Sequence, residues 1–259
     1  MKFSIITAVL NGKDTVGDTL RSVSGQIWRN VEHVIIDGGS TDETLEVINK
    51  CKNDTTRVIS EPDGGLYHAL NKGIKLSSGD VIGILNGDDF YAHDKVLNRV
   101  VDVFRNQKVD SCYGDLQYVN RDNTSRIIRR WRSSGYKPGK FNYGWMPPHP
   151  TFFVKKDIYE KFGYFNTNFR IAADYELMLR FLELHKISTY YIPDVLIKMR
   201  VGGISNRGLR NLFIKSSEDC KAWKINNLNG SLSSILLSIF LKNVSKLSQF
   251  FEHEIPGNS

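Results

Sequence analysis

Cysteine is scarce in this sequence. Cys51, Cys112 and Cys220 are the three in 259 residues, and none of them forms a C-x-x-C pair. An odd number of isolated thiols argues against a disulfide framework or a zinc site and favours a reducing compartment. No apolar run is long enough to span a bilayer, and the one near the N-terminus is too short for a signal peptide. We therefore expect a cytoplasmic protein.

The sequence also lacks the two common phosphate-binding glycine patterns, the P-loop and G-x-G-x-x-G. What it does contain is an excess of positive charge, 35 Lys and Arg against 28 Asp and Glu, or +7. Such an excess indicates an anionic partner such as nucleic acid, an anionic membrane or a phosphate-bearing substrate, although simple solubility explains it equally well. Because no recognition-helix or RNP-like pattern is present, we expect no nucleic-acid partner.

Short apolar runs alternate with helical patterns through the first hundred residues, which predicts an α/β fold with a Rossmann-like, mostly parallel sheet flanked by helices. The second helix is preceded by a capping-box pattern, Ser40-Thr41-Asp42-Glu43. The predicted strands cover 3–9, 31–37, 57–60, 80–85, 111–119, 126–131, 151–154 and 189–192. The predicted helices cover 15–28, 42–51, 66–76, 96–104 and 172–185, followed by a mostly helical C-terminal appendage.

A polar cluster follows each of the first four predicted strands. In open α/β sheets ligands bind at the carboxyl ends of the strands, so the four clusters form a candidate nucleotide pocket. Each cluster taken alone is equally explained as an ordinary turn. The clusters begin at Asn11, Asp37, Glu61 and Asn86.

Adjacent carboxylates stand out in the fourth cluster, at Asp88 and Asp89. Such a pair repels itself unless a cation or hydrogen bonds relieve it, and Mg²⁺ or Mn²⁺ takes oxygen ligands that it often shares with substrate phosphates. The alternative is that one of them caps the next helix. Asn71 and Lys72 lie on the helix after the third cluster, where Lys72 either reaches a phosphate or is a solvated surface lysine.

Three motifs, in this order along the chain, resemble those of bacterial family 2 glycosyltransferases with the GT-A fold. They are Ile5 to Asn11, Ile35 to Asp42 and Leu85 to Asp89. Glu61 to Tyr67, followed by Ala69 to Gly73, resembles the branch that builds O-antigen and exopolysaccharide repeats. The resemblance covers roughly residues 1–205 and implies a sugar transfer from a nucleotide donor.

The resemblance implies a role in donor binding for residues of each cluster. Thr7, Val9 and Asn11 would line the base and ribose pocket. Asp37 would bind the base, typically uracil, and Asp63 would lie beside the nucleotide. Asn86, Gly87, Asp88 and Asp89 take the position of the DxD motif, with Asp88 near the ribose or sugar and Asp89 as the metal ligand. Asn86 replaces the usual aspartate, so we expect it to hydrogen-bond the donor.

Catalysis by the family depends on a base from a Glu-Asp pair at a helix start. Asp174 matches the second member of that pair, and Ala173 replaces the first. We therefore expect Asp174 to act as base, although a helix N-cap explains it as well on local sequence. The resemblance also implies that His149 and Trp145 lie on the acceptor side and that Arg200 clamps phosphate in a closing loop.

The expected organisation is a catalytic domain over 1–205 and a helical extension over 206–259. The catalytic domain has a nucleotide-sugar half over 1–105 and an acceptor half over 106–205. Seven basic residues between 121 and 140 favour docking on an anionic membrane surface at the inner face of the plasma membrane. An apolar stripe between Leu232 and Phe251 either lies in a membrane interface or packs on protein, and oligomerisation is left open.

The function expected from the sequence is thus an inverting, metal-dependent hexosyltransferase that uses Mn²⁺ or Mg²⁺. Its donor would be a nucleotide sugar, by family frequency a UDP-hexose, and its acceptor a saccharide linked to polyprenyl diphosphate. A sugar-phosphate nucleotidyltransferase is the alternative, because that class also combines paired acids with a metal. Its glycine-rich loop with Arg and Lys is poorly matched by the residues that follow Asn11.

Overall fold

The computed structural model of the protein describes residues 1–202 and 208–228. The predicted apolar stripe beyond Leu228, and Gly203 to Ser205 of the predicted closing loop, lie outside the described residues. None of the described helices is long and apolar enough to cross a membrane. The strands are β1 Phe3–Val9, β2 Val31–Asp37, β3 Thr56–Ser60, β4 Val81–Ile84, β5 Phe90–Tyr91, β6 Ser111–Val119, β7 Ile127–Trp131, β8 Phe153–Lys155 and β9 Thr189–Arg200. The helices are α1 Val16–Ser24, α2 Thr44–Cys51, α3 Leu66–Leu76, α4 Val96–Asn106, α5 Lys156–Phe162, α6 Ala173–Leu179 and α7 Gly208–Ile225.

One sheet carries these strands in the order β3-β2-β1-β4-β8-β6-β9-β5, with β7 paired to β6 outside that path. The first four strands are parallel to one another, as the alternation of strands and helices predicts. In the second half β8 runs antiparallel to both neighbours, whereas β6 and β9 are parallel. The carboxyl ends of β1 to β4 therefore share one edge, where the four polar clusters lie.

Helices cover both faces of the sheet, because alternate side chains of the buried strands point in opposite directions. On one face Ile6 packs closely against Gly73 of α3. A Cβ at position 73 would lie 2.3 Å from Ile6 Cγ2, so only glycine fits there. On the other face Phe3 and Ile5 pack in a cluster with α4. This sandwich fixes the sheet edge, and with it the loops that follow β1 to β4.

Three local predictions are corrected by the structure. The capping box does not form, since Ser40 turns to Asp37 and α2 begins at Thr44, whose backbone N–H donates to Asp42. The predicted helix over 172–185 ends as an α-helix at Leu179, and a π-helical turn continues to Leu184. Helix α5 and strand β5 were not predicted, and β9 continues to Arg200 across Pro193.

Helix α7, the described part of the expected C-terminal extension, packs against α6. Trp223 Nε1 donates to the Tyr175 hydroxyl at 2.9 Å, and Asn226 Nδ2 donates to Glu176 Oε1 at 3.1 Å. Ala222 and Trp223 are buried in the main core cluster. Helix α7 therefore packs into the main core together with α6.

Candidate active site

The turn over residues 86–89, after β4, is held by backbone contacts from two sides. Gly87 N–H donates to the carbonyl of Ala8, while Thr15 Oγ1 of the loop before α1 donates to the carbonyl of Gly87 at 2.9 Å. Thr19 Oγ1 donates to the carbonyl of Asp89 at 2.7 Å. These contacts fix the backbone of the turn and with it the positions of Asp88 and Asp89.

Asp89 is the most unusual group of this turn. It has no exposed surface, and among the described residues its buried Oδ1 has no hydrogen-bond partner. Asn86 Nδ2 lies 3.4 Å from its Oδ2, and the backbone N–H of Arg200 also favours the charged carboxylate. Burial and the neighbouring carboxylate of Asp88 hold the pKa of Asp89 well above its ordinary value. Burial also raises the pKa of Asp88, which is half-buried, against the opposing effect of Arg121 and Arg200.

This donor set suits a hard divalent cation. An unpartnered, buried carboxylate oxygen beside a second carboxylate is costly without a positive charge, and oxygen ligands are those that Mg²⁺ and Mn²⁺ prefer. Within the described part of the chain, no cluster of three or more His, Cys, Asp or Glu side chains forms a metal-binding site made of protein ligands alone. The Asp88–Asp89 pair therefore fits an ion that takes its remaining ligands from a substrate.

Asp174 and His149 form a second polar pair, placed on different elements. Asp174 is the second residue of α6, and its Oδ2 lies 3.1 Å from Nδ1 of His149, which opens a short 3₁₀ turn after Pro147-Pro148. A carboxylate only accepts hydrogen bonds, so the imidazole Nδ1 carries the hydrogen. Both side chains keep some exposure, 19% for Asp174 and 29% for His149. The structure thus joins two predicted site residues that lie 25 positions apart.

Tyr118, on β6, lies within electrostatic range of both acidic centres, the Asp88–Asp89 pair and the Asp174–His149 pair. Burial raises the pKa of its phenol, the carboxylates of Asp89 and Asp174 raise it further, and the guanidinium of Arg129 opposes them. The charges of both carboxylates therefore influence the pKa of this one phenol. The side chain of Arg129 is 4% exposed, and its Cζ lies 4.1 Å from the centroid of the Tyr118 ring. Arg129 is thus a buried cation packed against Tyr118.

The loops after β1 and β2 are tied together by polar side chains. Asn11, at a positive φ of 51°, accepts the backbone N–H of Thr41 at its Oδ1, and its own N–H donates to Ser40 Oγ. Asp37 is fully buried and accepts hydrogen bonds from Gly39, Ser40 and Ser60. Protein donors thus reach both carboxylate oxygens of Asp37, three on Oδ2 and one on Oδ1, and its contact with a base stays a prediction.

Asp63, like Asp89, retains an unused carboxylate oxygen at this edge. One oxygen pairs with Lys72 Nζ, which also lies 2.7 Å from Glu61, whereas Oδ2 is buried and has no hydrogen-bond partner among the described residues. Leu10, in the loop after β1, is 61% exposed. The unsatisfied oxygen of Asp63 is an acceptor of the kind that a nucleobase N–H or a ribose hydroxyl needs. The ion pairs of Lys72 explain this residue without a phosphate.

The remaining predicted donor residues have structural roles here. Thr7 has no exposed surface. Its Oγ1 donates to the carbonyl of Leu85 at 2.7 Å and lies 2.8 Å from His33 Nε2. Val9 is buried, and a Cβ on Gly87 would lie 2.8 Å from its Cγ2. Asn71 Nδ2 donates to the carbonyl of Phe165 at 2.8 Å, and its Oδ1 accepts the N–H of Phe165 at 2.9 Å. The contacts of these side chains with a donor stay predictions.

Arg200 and Trp145 are also held by the protein. Arg200 is 4% exposed, pairs with Asp18, donates to the carbonyl of Asp88 at 2.8 Å and lies over the ring of Phe90. It therefore braces the acidic turn, and its role as a phosphate clamp stays a prediction. Trp145 packs among aromatic rings of the core, namely Tyr113, Tyr136 and Phe141.

Sequence reasoning missed Tyr118 and Glu218 and named Arg129 only as one of seven basic residues. Tyr118 looks like any strand aromatic, and Glu218 is an ordinary charged residue of a helix. The alternation within β7, where Arg129 is buried and Arg130 exposed, is the one signal that separates Arg129 from its basic neighbours.

Comparison with known proteins agrees with this geometry. The family model "Glycosyl transferase family 2" matches residues 4–168. An uncharacterised glycosyltransferase of Mycobacterium tuberculosis is 32% identical over 182 residues, which are 68% of this chain and 67% of the relative. WfaP of Escherichia coli, named as a UDP-Glc:alpha-D-GlcNAc-diphosphoundecaprenol beta-1,3-glucosyltransferase, is 29% identical over 220 residues, 83% of this chain and 84% of the relative.

Solved structures share the fold at low identity. S. aureus TarS in complex with UDP-GlcNAc has a TM-score of 0.69 at 17% identity, over 99% of this chain and 77% of that one. The mannosyltransferase PcManGT of Pyrobaculum calidifontis, in complex with GDP-Man and Mn²⁺, has a TM-score of 0.65 at 17% identity, over 97% and 73%. These neighbours are GT-A glycosyltransferases, so the predicted fold is confirmed. The chain belongs to glycosyl transferase family 2.

Proposed function

We propose that this glycosyltransferase moves a hexose from a UDP-sugar to a saccharide acceptor with inversion at the anomeric carbon. The observation that carries the proposal is the presence of two acidic centres, the buried Asp88–Asp89 pair after β4 and the Asp174–His149 pair at the start of α6, in a chain that matches the family model. One centre suits a diphosphate with its cation, and the other suits a hydroxyl that must lose a proton. A nucleotidyltransferase is not favoured, since the family model and the named relatives are glycosyltransferases.

Asp174 serves as the general base in this proposal. Its carboxylate takes the proton of the acceptor hydroxyl while the hydroxyl oxygen forms a bond to the anomeric carbon. The bond from that carbon to the diphosphate oxygen breaks, and its electron pair leaves with the UDP. His149 Nδ1, 3.1 Å from Asp174 Oδ2, and the Tyr67 hydroxyl, 3.4 Å from Oδ1, orient the carboxylate that takes the proton.

Donor binding combines three features at the carboxyl edge of the sheet. The buried, unpartnered Oδ2 of Asp63 accepts an N–H of the base or a ribose hydroxyl, a contact that leaves no polar atom unsatisfied. Arg129 donates charge-assisted hydrogen bonds to the diphosphate. A divalent cation, Mn²⁺ or Mg²⁺, would be held by Asp88 and Asp89 and would offset the negative charge of the leaving group.

We further propose a lipid-linked acceptor and a peripheral location on the cytoplasmic membrane face. WfaP, as named, acts on a sugar attached to diphosphoundecaprenol, and this chain matches most of its length. Exposed arginines at 126, 130 and 132 supply positive charge for an anionic surface. O-antigen or exopolysaccharide synthesis is the process that such an acceptor implies.

A donor panel tests the proposal. The protein is incubated with UDP-glucose, UDP-galactose, UDP-GlcNAc or GDP-mannose, a synthetic polyprenyl-diphosphate saccharide, and Mn²⁺ or EDTA. Mass spectrometry should detect an acceptor heavier by one hexose with a UDP-hexose and Mn²⁺, together with released UDP. Release of inorganic diphosphate from a sugar phosphate and UTP would instead identify a nucleotidyltransferase. Full transfer in EDTA would contradict the role of the metal.

A further inference from the structure

The loop that precedes the proposed base is clamped by a carboxylate from the C-terminal helix. Glu218 Oε1 accepts the backbone N–H of Arg170 at 2.7 Å, and its Oε2 accepts those of Ile171 and Ala172 at 2.9 and 2.8 Å. Ile171 and Ala172 are buried, 9% and 0% exposed. Without Glu218 the N–H groups of Ile171 and Ala172 would lose this partner where burial limits the access of water, which is costly, whereas Arg170 is exposed.

The same loop is held from the opposite side by α3. The Tyr67 hydroxyl donates to the carbonyl of Ile171 at 2.7 Å and lies 3.4 Å from Asp174 Oδ1. Burial and the carboxylate of Asp174 keep the pKa of Tyr67 well above its usual value, so the phenol retains its hydrogen. Ile171 is thus fixed at its N–H by Glu218 and at its carbonyl by Tyr67.

We infer that Glu218 is a positioning residue for Asp174 and that helix α7 is therefore part of the catalytic apparatus. Asp174 follows the clamped loop by two residues, and its backbone has little freedom once residues 170–172 are fixed. A displacement of about 1 Å of a reacting group costs up to a hundredfold in rate. The inference rests on the proposed role of Asp174 as base.

The test compares Glu218→Gln with Asn226→Ala. Gln keeps the shape of Glu218 but has one acceptor oxygen, and its NH₂ group faces a backbone N–H, so the clamp loses at least one bond. Asn226 also joins α7 to α6, through Glu176, but does not touch residues 170–172. If Glu218 positions the base, Glu218→Gln should lower kcat about 10- to 100-fold with an unchanged KM for the UDP-sugar. Asn226→Ala should keep kcat within about twofold at a comparable loss of Tm.

Hydrogen exchange gives a second readout that does not need activity. In Glu218→Gln the amides of residues 170–172 should exchange about tenfold faster or more, while those of β1 and β2 keep their protection. Equal kcat in Glu218→Gln and the wild type, equal losses of kcat in both variants, or unchanged exchange at 170–172 would each overturn the inference. If the wild type transfers no sugar from any donor, the proposed function fails, whereas the exchange result still tests the clamp.

Discussion

At the scale of single residues, Asp174 carries the clearest prediction. Asp174→Asn keeps the size of the side chain but removes the basic oxygen, so the acceptor hydroxyl has no group to take its proton. We expect kcat to fall by about 10²- to 10⁴-fold, the range typical of a lost general base, with the affinity for UDP nearly unchanged. Steady-state transfer rates and UDP titration calorimetry measure the two quantities. Asp102→Asn, an exposed acid on α4, is the matched control and should behave as the wild type. Near-normal transfer by Asp174→Asn would show that another group is the base.

Asp89 provides a separate prediction about the cation. Its buried Oδ1 has no partner and Asp88 is adjacent, so a divalent ion should stabilise the folded protein markedly. At about 100 times Kd a ligand adds roughly 2.7 kcal/mol, which for a domain of this size is a rise in Tm of a few degrees.

The measurement is thermal denaturation with EDTA or Mn²⁺, in the presence of UDP. Asp89→Asn should lose most of the Mn²⁺-dependent rise while staying at least as stable as the wild type in EDTA, because a buried charge is removed. Asp102→Asn again serves as control. An Asp89→Asn protein that gained the full Mn²⁺ stabilisation would contradict the assignment of this carboxylate as a ligand.

At the scale of elements, side chains alternate between the two faces of strand β7, so two neighbouring arginines differ in burial. Arg129 is buried against Tyr118 beside the acidic centres, whereas Arg130 faces outward. A charge-assisted hydrogen bond to a phosphate contributes about 1.5–3 kcal/mol, so Arg129→Gln should weaken UDP binding at least tenfold. Arg130→Gln removes the same charge one residue away and should leave the Kd for UDP unchanged. Equal affinities in both variants would remove Arg129 from the donor site.

Elements were predicted from the sequence where local pattern determines them. The bounds of β1, β2 and α3 agree with the apolar periodicity, because each is buried over its whole length or along one face. Helix α5 and the π-helical turn after Leu179 were not predictable, since the carbonyls that Arg180 caps belong to residues 162–164, far from it in sequence. Local pattern cannot anticipate partners of this kind.

The sequence predicted which residues form the candidate site better than it predicted their contacts, because many of these contacts join residues far apart in the chain. The sequence identified the four polar clusters and Asp174, because strand ends and chemical type are local properties. It did not reveal that Asn71 bonds Phe165 across 94 positions, or that Glu218 reaches the loop before Asp174 from α7. Which polar groups are already satisfied, as in Asp37, and which are not, as in Asp63, emerges only from packing.

At the scale of the whole molecule, the distribution of charge predicts how the protein meets its acceptor. The net charge is +7, and exposed arginines at 126, 130 and 132 lie in and beside the hairpin of β6 and β7. Each basic residue near an anionic membrane contributes about 1 kcal/mol, within a Debye length of about 8 Å at physiological salt. The protein should therefore bind vesicles that contain anionic lipid, bind neutral vesicles less, and dissociate in high salt.

Vesicle flotation measures this, with two triple variants that lower the net charge equally. Replacing arginines 126, 130 and 132 by Gln should reduce binding to anionic vesicles by about a hundredfold, as expected for a loss near 3 kcal/mol. Replacing Lys50, Lys52 and Lys108, which are exposed elsewhere, should reduce it far less, because only charges that face the membrane contribute. Equal losses in the two variants would show that net charge, not the hairpin, governs the attraction. A wild-type protein that stays unbound to anionic vesicles at low salt would exclude membrane docking, and the acceptor would then have to reach the active site from solution.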